Sequence, residues 1–434
     1  MDKMADVLGR AGAWCGQNKY LSAIKNAFQN FMPLTIAGAI GVLWCNVLVN
    51  ESTGLGIFFK PIMALEFLNP AFQAVNFCTI SCITVGITLG IAQEIGVWNM
   101  GAEKAGYIPG LVGLAAWLSV TNTSHMVDGA KEAFTGVAGN ELGATGLFTG
   151  MIIGVLSVEL FCFFEKQDAL KIKMPEQVPP GVARAFEVLV PATLTLIITA
   201  CIGSACYNLT GLYLNDVIKN GVQGPLGAVG ATIPGVMIIY LVIMLFWLVG
   251  IHGNNMLSAV KEALFTPLAL ENVEKFNKGE KPTNIINMYA LQMWCEFGGS
   301  GVTIGLVIAI MIFGKREDNK AIATLSLVPG LFNINETVTF GIPMVLNPIL
   351  GIPFVVAPLV TIIIGYVLTV IGFCPVACLT VPWTTPPIVF GFLACGANVM
   401  GAVTQAILIV VSTVIYVPFL ISYEKYQNKQ AAEA

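Results

Sequence analysis

Long apolar stretches separated by short polar ones run along almost the whole 434-residue chain. A helix of about 20 apolar residues spans the hydrocarbon core of a bilayer, and it satisfies its own backbone hydrogen bonds there. Only 11% of the residues are charged, against about 25% in soluble domains. The pattern predicts an all-α polytopic membrane protein with spans at 30–49, 73–93, 107–120, 143–164, 185–207, 232–251, 285–313, 348–372 and 400–422.

The distribution of lysine and arginine predicts the orientation in the membrane. Loop 165–184 carries four basic residues, whereas loops 50–72 and 121–142 carry one lysine each. Cytoplasmic loops are enriched in basic residues, so this loop and both termini are predicted to be cytoplasmic. Strict alternation would put the basic segment 315–320 outside. Either the charge rule fails locally, or a segment between residues 252 and 300 does not cross the membrane, and we expect the second.

A short polar segment interrupts one of the apolar regions. Asn333, Asn335 and Glu336 lie between two Pro- and Gly-containing turns, and a helix over residues 331–340 would extend only about 15 Å. A carboxylate at membrane depth marks a substrate or ion pathway by default. The segment is therefore predicted to be re-entrant and to carry a buried polar binding site, with a structural ion pair as the alternative for Glu336.

Three further segments place polar or helix-breaking residues at the ends of apolar stretches. His252 lies between two glycines and is followed by Asn254 and Asn255; it is interpreted as a site residue, or else as a helix cap. Trp383 lies in a Pro-rich turn, where it could stack on a sugar ring or anchor a helix at the interface. The glycine-rich run 296–303 predicts a kink or an unwound turn. His125 is interpreted as solvated surface.

Composition also limits the classes of function. The net charge of −4 gives no indication of a nucleic-acid partner. The 11 cysteines show no zinc-type spacing and are interpreted as small apolar packing residues, so no metal or other cofactor is expected. Residues 1–30 lack the features of a signal peptide and are predicted to form an amphipathic surface helix before the first span.

The motifs in this order resemble the membrane-spanning IIC permease of the bacterial sugar phosphotransferase system, in its lactose/cellobiose/diacetylchitobiose family. The matching segments are KIKMPEQVPP at 171–180, GIHGNN at 250–255, GGSG at 298–301, PGLFNINETVTFGIP at 329–343 and PWTTPP at 382–387. The chain departs from the family pattern at Thr337, where a proline is usual, and at Glu296–Phe297, where an apolar pair is expected. The resemblance therefore leaves the sugar undetermined.

The resemblance implies an elevator-type sugar permease of the bacterial cytoplasmic membrane, with about ten transmembrane helices and re-entrant hairpins. It implies a homodimer surrounded by lipid, in which residues 1–210 form the interface and residues 211–434 carry the sugar. The sugar, a disaccharide of the β-glucoside, cellobiose or chitobiose type, would be phosphorylated on its 6-hydroxyl by a separate IIB protein, itself supplied by IIA. Glu336 and His252 would lie beside that hydroxyl, and sugar contacts would come from Asn254, Asn255, Asn333, Asn335 and Trp383.

Two features of this interpretation follow from the chemistry of the residues. Each of His252 and Glu336 is a titratable group in its own apolar segment, and placing both around one hydroxyl lets them share partners, so we expect them within a few ångströms of each other. A glutamate in an apolar pocket would be an effective base for a sugar hydroxyl. The alternatives are a proton-coupled transporter of an unmodified solute and a membrane sugar sensor.

Overall fold

The computed structural model describes residues 14, 17–51, 56, 59–125, 133–175, 177–225, 230–342, 344 and 346–433. The described residues form two compact units, one of residues 17–38 and 75–225 and one of residues 39–74 and 230–433. The units thus differ from the predicted division at 210/211. Residues 211–225 belong to the first unit, and residues 39–74 belong to the second. Residues 1–13, 15 and 16 of the predicted N-terminal surface helix lie outside the described residues, and residues 19–30 are part of a helix that continues into the first predicted span.

The first unit consists of helices, with one very short β-hairpin. Its helices are α1 (Lys19–Leu43, which continues into the second unit), α3 (Ile83–Met100), α4 (Ala102–Ala105), α5 (Ile108–Val120), α6 (Gly139–Leu142), α7 (Leu147–Glu165), α8 (Pro180–Glu187), α9 (Leu189–Thr210) and α10 (Leu214–Ile218). Shorter 3₁₀ and π segments are Ile80–Cys82, Asp168–Leu170 and Lys219–Gln223. Strands β1 (Ser124–His125) and β2 (Phe134–Thr135) pair antiparallel, so the expectation of an all-α chain is wrong at this hairpin.

Helices α3, α5, α7 and α9 pack on one another to form the core of the first unit. Trp117 on α5 is completely buried there. Gly113, one turn earlier, lets α5 approach α3 closely, because a Cβ atom at this position would overlap the side chain of Ala92. Small residues at helix contacts are how helices come close in a membrane, where lipid supplies no hydrophobic driving force.

The second unit is also helical, but several of its helices are short and broken. They are α2 (Asn69–Cys78), α11 (Ile233–Leu248), α12 (Gly253–Met256), α13 (Ser258–Asn277), α14 (Met288–Cys295), α15 (Ile304–Phe313), α16 (Glu317–Leu331), α17 (Glu336–Gly341), α18 (Gly351–Val370), α19 (Val389–Ala394) and α20 (Val399–Glu433), with a π segment at Trp44–Leu48 and a 3₁₀ segment at Lys60–Leu68. Helices α15 and α18 both pack on the long helix α20. Thr232 caps α11 by accepting a hydrogen bond from the N–H of Gly235 at 3.2 Å.

Within the described residues, six helical stretches are long and apolar enough to cross a membrane. They are Lys19–Leu48, Lys60–Met100, Leu147–Glu165, Pro180–Thr210, Gly351–Val370 and Val399–Glu433, and the shorter apolar helices are α5, α11 and α15. The predicted span 285–313 is divided into two helices, because residues 296–303 separate α14 from α15. This break lies at the glycine-rich run that predicts a kink or an unwound turn.

The basic segment 315–320 contacts the C-terminal part of α20. The carboxylate of Glu424 accepts hydrogen bonds from the backbone N–H groups of Lys315 at 2.9 Å and Arg316 at 3.2 Å. The Arg316 guanidinium also donates to the side chain of Asn428 at 2.8 Å. The basic segment and the end of α20 therefore lie together.

Candidate functional site

Five segments of the second unit surround a cavity of about 510 Å³. It lies between the loop before α12, the start of α13, the glycine-rich loop after α14, and the segments around residues 333–336 and 383–405. Its wall is mainly polar and is formed by His252, Asn254, Asn255, Lys261, Glu262, Gln292, Glu296, Ser300, Asn333, Asn335, Glu336 and Gln405, with Gly299, Ile334, Trp383 and Phe390. All seven residues predicted for the site are among them. A cavity of this size lies within the range of about 300–1,000 Å³ seen for small-molecule sites.

His252 and Glu336 face each other across this cavity. The distance from Nε2 of His252 to Oε1 of Glu336 is 3.9 Å, so the structure has the proximity that the sequence predicted. The side chains are 38% and 49% exposed, respectively. Glu336 therefore projects into an open polar cavity rather than an apolar pocket, and its carboxylate can be reached by a ligand.

The backbone around His252 determines which ring nitrogen faces the cavity. His252 is the N-cap of α12, and its Nδ1 accepts a hydrogen bond from the N–H of Asn255 at 3.3 Å. A neutral imidazole has one donor and one acceptor nitrogen, so Nε2 carries the hydrogen and points toward Glu336. The alternative interpretation of His252 as a helix cap is thus correct for Nδ1, and it leaves Nε2 available for a ligand.

Glu336 is held by the turn that precedes it. Asn333 has a left-handed backbone, with φ of 64°, which asparagine tolerates better than most residues. Its side chain accepts from the N–H of Gly298 at 2.6 Å and donates to the carbonyls of Trp383 and Thr385. Its amide is thus bonded to the backbones of two other loops, which favours a positioning role over sugar contact.

The amide groups of Asn254 and Asn335 are also used within the protein. Asn335 is 4% exposed, and its Nδ2 donates to the carbonyl of Ser300 at 2.8 Å. Nδ2 of Asn254 donates to Oγ of Ser300 at 2.8 Å. Asn255, by contrast, is exposed, and Trp383 is 44% exposed at the cavity wall. Of the predicted sugar contacts, these last two have the side chains most open to a ligand.

The glycine-rich loop has the unwound form that its sequence predicts. Gly298, Gly299 and Gly301 have φ values of 68°, 86° and 81°, a region that is accessible to glycine at little cost. A Cβ atom at Gly299 would lie 2.6 Å from Cβ of Asn335. The loop therefore needs glycine both for its backbone and for its contact with the segment that carries Glu336.

A buried charged cluster beside the cavity was missed by sequence reasoning. Lys261, on the first turn of α13, forms an ion pair with Glu296 and donates to Oδ1 of Asn254 at 3.1 Å. The hydroxyl of Tyr240 donates to Oε1 of Glu296 at 2.7 Å. The side chain of Lys261 is only 8% exposed, although the surrounding sequence is polar. The sequence feature that could have indicated this cluster was Glu296, because a carboxylate at the end of an apolar stretch needs a partner.

His125, outside this cavity, is partly buried rather than fully solvated. Its ring lies 5.5 Å from the ring of Phe134, centroid to centroid, and its Nε2 is 3.2 Å from the carbonyl oxygen of Asn122. Both contacts lie within the short hairpin of the first unit. They give His125 a local structural role.

The helical membrane fold and the polar cavity between broken helices define the class as an integral membrane permease, and comparison with known proteins identifies the family. Residues 25–358 match the family model described as "Phosphotransferase system, EIIC". The chain belongs to this family.

Similar proteins match nearly the whole chain. The oligo-beta-mannoside-specific EIIC component of Bacillus subtilis (strain 168) is 32% identical over 98% of this chain and 94% of its own. A cellobiose-specific EIIC component of Lactococcus lactis subsp. lactis (strain IL1403) is 30% identical over 98% of each. The crystal structure of ChbC, the IIC component from the N,N'-diacetylchitobiose-specific system, aligns with a TM-score of 0.88 at 30% identity over 97% of each chain.

Proposed function

We propose that this chain carries a β-linked disaccharide across the bacterial cytoplasmic membrane. It holds the 6-hydroxyl of the sugar beside Glu336 and His252, where this hydroxyl is phosphorylated. The observation that carries the proposal is the 3.9 Å approach of these two side chains in a cavity lined by amides and carboxylates. Such groups accept from and donate to sugar hydroxyls without requiring a charged ligand. The relatives named for β-mannosides, cellobiose and diacetylchitobiose support this substrate class.

The two side chains have different tasks in the proposed step. The Glu336 carboxylate takes the proton from the 6-hydroxyl as the oxygen forms a bond to phosphorus. The bond between phosphorus and the cysteine sulfur of IIB breaks at the same time, and the sulfur leaves as a thiolate. The Nε2–H of His252 donates a hydrogen bond to the reacting oxygen or to the incoming phosphoryl group, which stabilises the developing charge.

The reaction needs partners and a direction, and these are also part of the proposal. A separate IIB protein donates the phosphoryl group at the cytoplasmic face and is recharged by IIA. The basic residues of both termini and of loop 165–184 support a cytoplasmic location for these segments. A homodimer held by residues 1–210, with residues 211–434 moving the sugar in an elevator-like manner, is the arrangement that the resemblance implies.

The decisive experiment is uptake of labelled disaccharides into membrane vesicles containing this chain. Uptake is measured with and without purified soluble phosphotransferase proteins and phosphoenolpyruvate, and the internal product is identified. We expect accumulation only with the soluble proteins, and only as the 6-phosphate. Accumulation of unmodified sugar driven by a proton gradient would instead establish a secondary transporter, and binding without accumulation would establish a sensor.

A further inference from the structure

The charged groups at the cavity wall are unequally paired. Among the described residues that line the cavity, Lys261 is the cationic one, whereas Glu262, Glu296 and Glu336 are carboxylates. Lys261 is paired inside the protein, with the carboxylate of Glu296 and with Oδ1 of Asn254 at 3.1 Å. Its ammonium group also lies 5.5 Å from the centre of the Tyr240 ring, a cation–π distance. The cavity therefore presents no free ammonium group from Lys261 to a ligand.

Glu296 is what holds Lys261 in this state. Oε1 of Glu296 receives both the ammonium group and the Tyr240 hydroxyl, the latter at 2.7 Å. Tyr240 is completely buried and Glu296 is 18% exposed, so water screens this pair only weakly.

The other two carboxylates have no ammonium or guanidinium partner among the described residues. Glu262 accepts a hydrogen bond from the hydroxyl of Thr266, and Glu336 faces the imidazole of His252. A sugar phosphate carries close to two negative charges at neutral pH. Such a ligand would meet two carboxylates that no lysine or arginine neutralises, and a lysine that Glu296 already neutralises. Like charges placed together in a site oppose binding strongly.

We propose that Glu296 is a specificity-determining residue: by neutralising Lys261 it lets the cavity bind the uncharged sugar and reject the same sugar once it is phosphorylated. This inference rests on the proposed function and adds to it a reason for product release. Phosphorylation changes the ligand from neutral to dianionic inside a wall of negative charge. The product then leaves because its charge no longer fits, and it does not compete with fresh sugar for the site.

The test is direct binding to the full-length protein in lipid nanodiscs. Cellobiose, lactose, mannobiose and N,N'-diacetylchitobiose are titrated first, and then the 6-phosphate of each sugar that binds. For the wild-type protein we expect the phosphate to bind at least about 100-fold more weakly than its parent sugar. The Glu296→Gln substitution keeps the side-chain shape but frees Lys261. For this variant we expect the ratio of the phosphate's dissociation constant to that of the sugar to fall at least about tenfold, mainly through tighter binding of the phosphate.

Two further variants separate charge from structural damage. Lys261→Gln combined with Glu296→Gln removes both charges, and we expect rejection of the phosphate to return. Glu280→Gln removes an exposed carboxylate in the loop after α13 and should leave the ratio unchanged. If Glu296→Gln does not fold, the wild-type protein still decides, because equal binding of a sugar and its phosphate overturns the proposal.

The outcomes also distinguish this inference from the proposed function. One outcome is that a sugar binds but Glu296→Gln does not change the ratio of the phosphate's dissociation constant to that of the sugar. This outcome contradicts the role of Glu296 and leaves the proposed function intact. A panel in which no sugar binds contradicts the proposed function, and the inference falls with it.

Discussion

Replacing Glu336 with glutamine should separate phosphorylation from sugar binding. The carboxylate is 49% exposed, so the substitution creates no cavity and leaves no buried charge unpaired. An amide keeps the length and one acceptor oxygen of the side chain, but it cannot take up a proton from the sugar hydroxyl. We expect the fold to be retained and the chemical step to fail.

The expected magnitudes differ enough to be measured separately. A hydrogen bond to a charged group contributes about 1.5–3 kcal/mol, and a neutral one about 0.5–1.5 kcal/mol. The loss of about 1 kcal/mol weakens sugar binding about fivefold. Loss of general-base assistance lowers the rate about 10²–10⁴-fold, equivalent to about 3–5 kcal/mol in the barrier.

The assay combines two measurements on one preparation. Sugar affinity is measured by calorimetry, and the phosphorylation rate is measured with IIB present at a saturating concentration. Glu280→Gln is the matched control, since it removes an exposed carboxylate that does not line the cavity. Phosphorylation close to the wild-type rate would refute the base role, and so would a rate loss accounted for entirely by weaker sugar binding.

Three other changes test separate parts of the structure. In a double-mutant cycle, His252→Gln and Glu336→Gln should each remove most phosphorylation, with the double variant little worse than either; strictly additive losses would argue against a shared site. Gly299→Ala should destabilise the protein by about 1–3 kcal/mol through strain and overlap with Asn335, measured by thermal unfolding, and an unchanged midpoint would contradict the described loop. A cysteine at Gln177 should react with an impermeant maleimide only when the inner face is exposed, and labelling of intact cells would reverse the predicted topology.

Several parts of the site could be predicted because their residues conflict with their surroundings in the sequence. Glu336 and His252 are polar groups at the edges of apolar stretches, and such groups meet because each gains a partner that lipid cannot supply. The glycines at 298–301 likewise predicted an unwound turn, and three of them have positive φ. In each case, residues that interrupt an apolar stretch made the prediction possible.

The charged cluster of Lys261, Glu296 and Tyr240 could not be predicted in the same way. Lys261 stands in a stretch that reads as an ordinary polar loop, and its partners are 35 and 21 positions away in the chain. Nothing local distinguishes this lysine from the solvated Lys278 at the other end of the same helix, whose partner Glu274 is one turn away. Only the path of α11, α13 and α14 brings the three groups together.

The sequence by itself determined that this chain is a helical membrane protein, which segments break, and which two titratable residues meet. These conclusions depend on hydrophobicity and on backbone freedom, which are properties of single residues and short segments. The tertiary structure decided the hydrogen bonds of Asn333 to two other loops and the neutralisation of Lys261. Those depend on which distant segments pack side by side, because hydrogen bonds and ion pairs act only over a few ångströms.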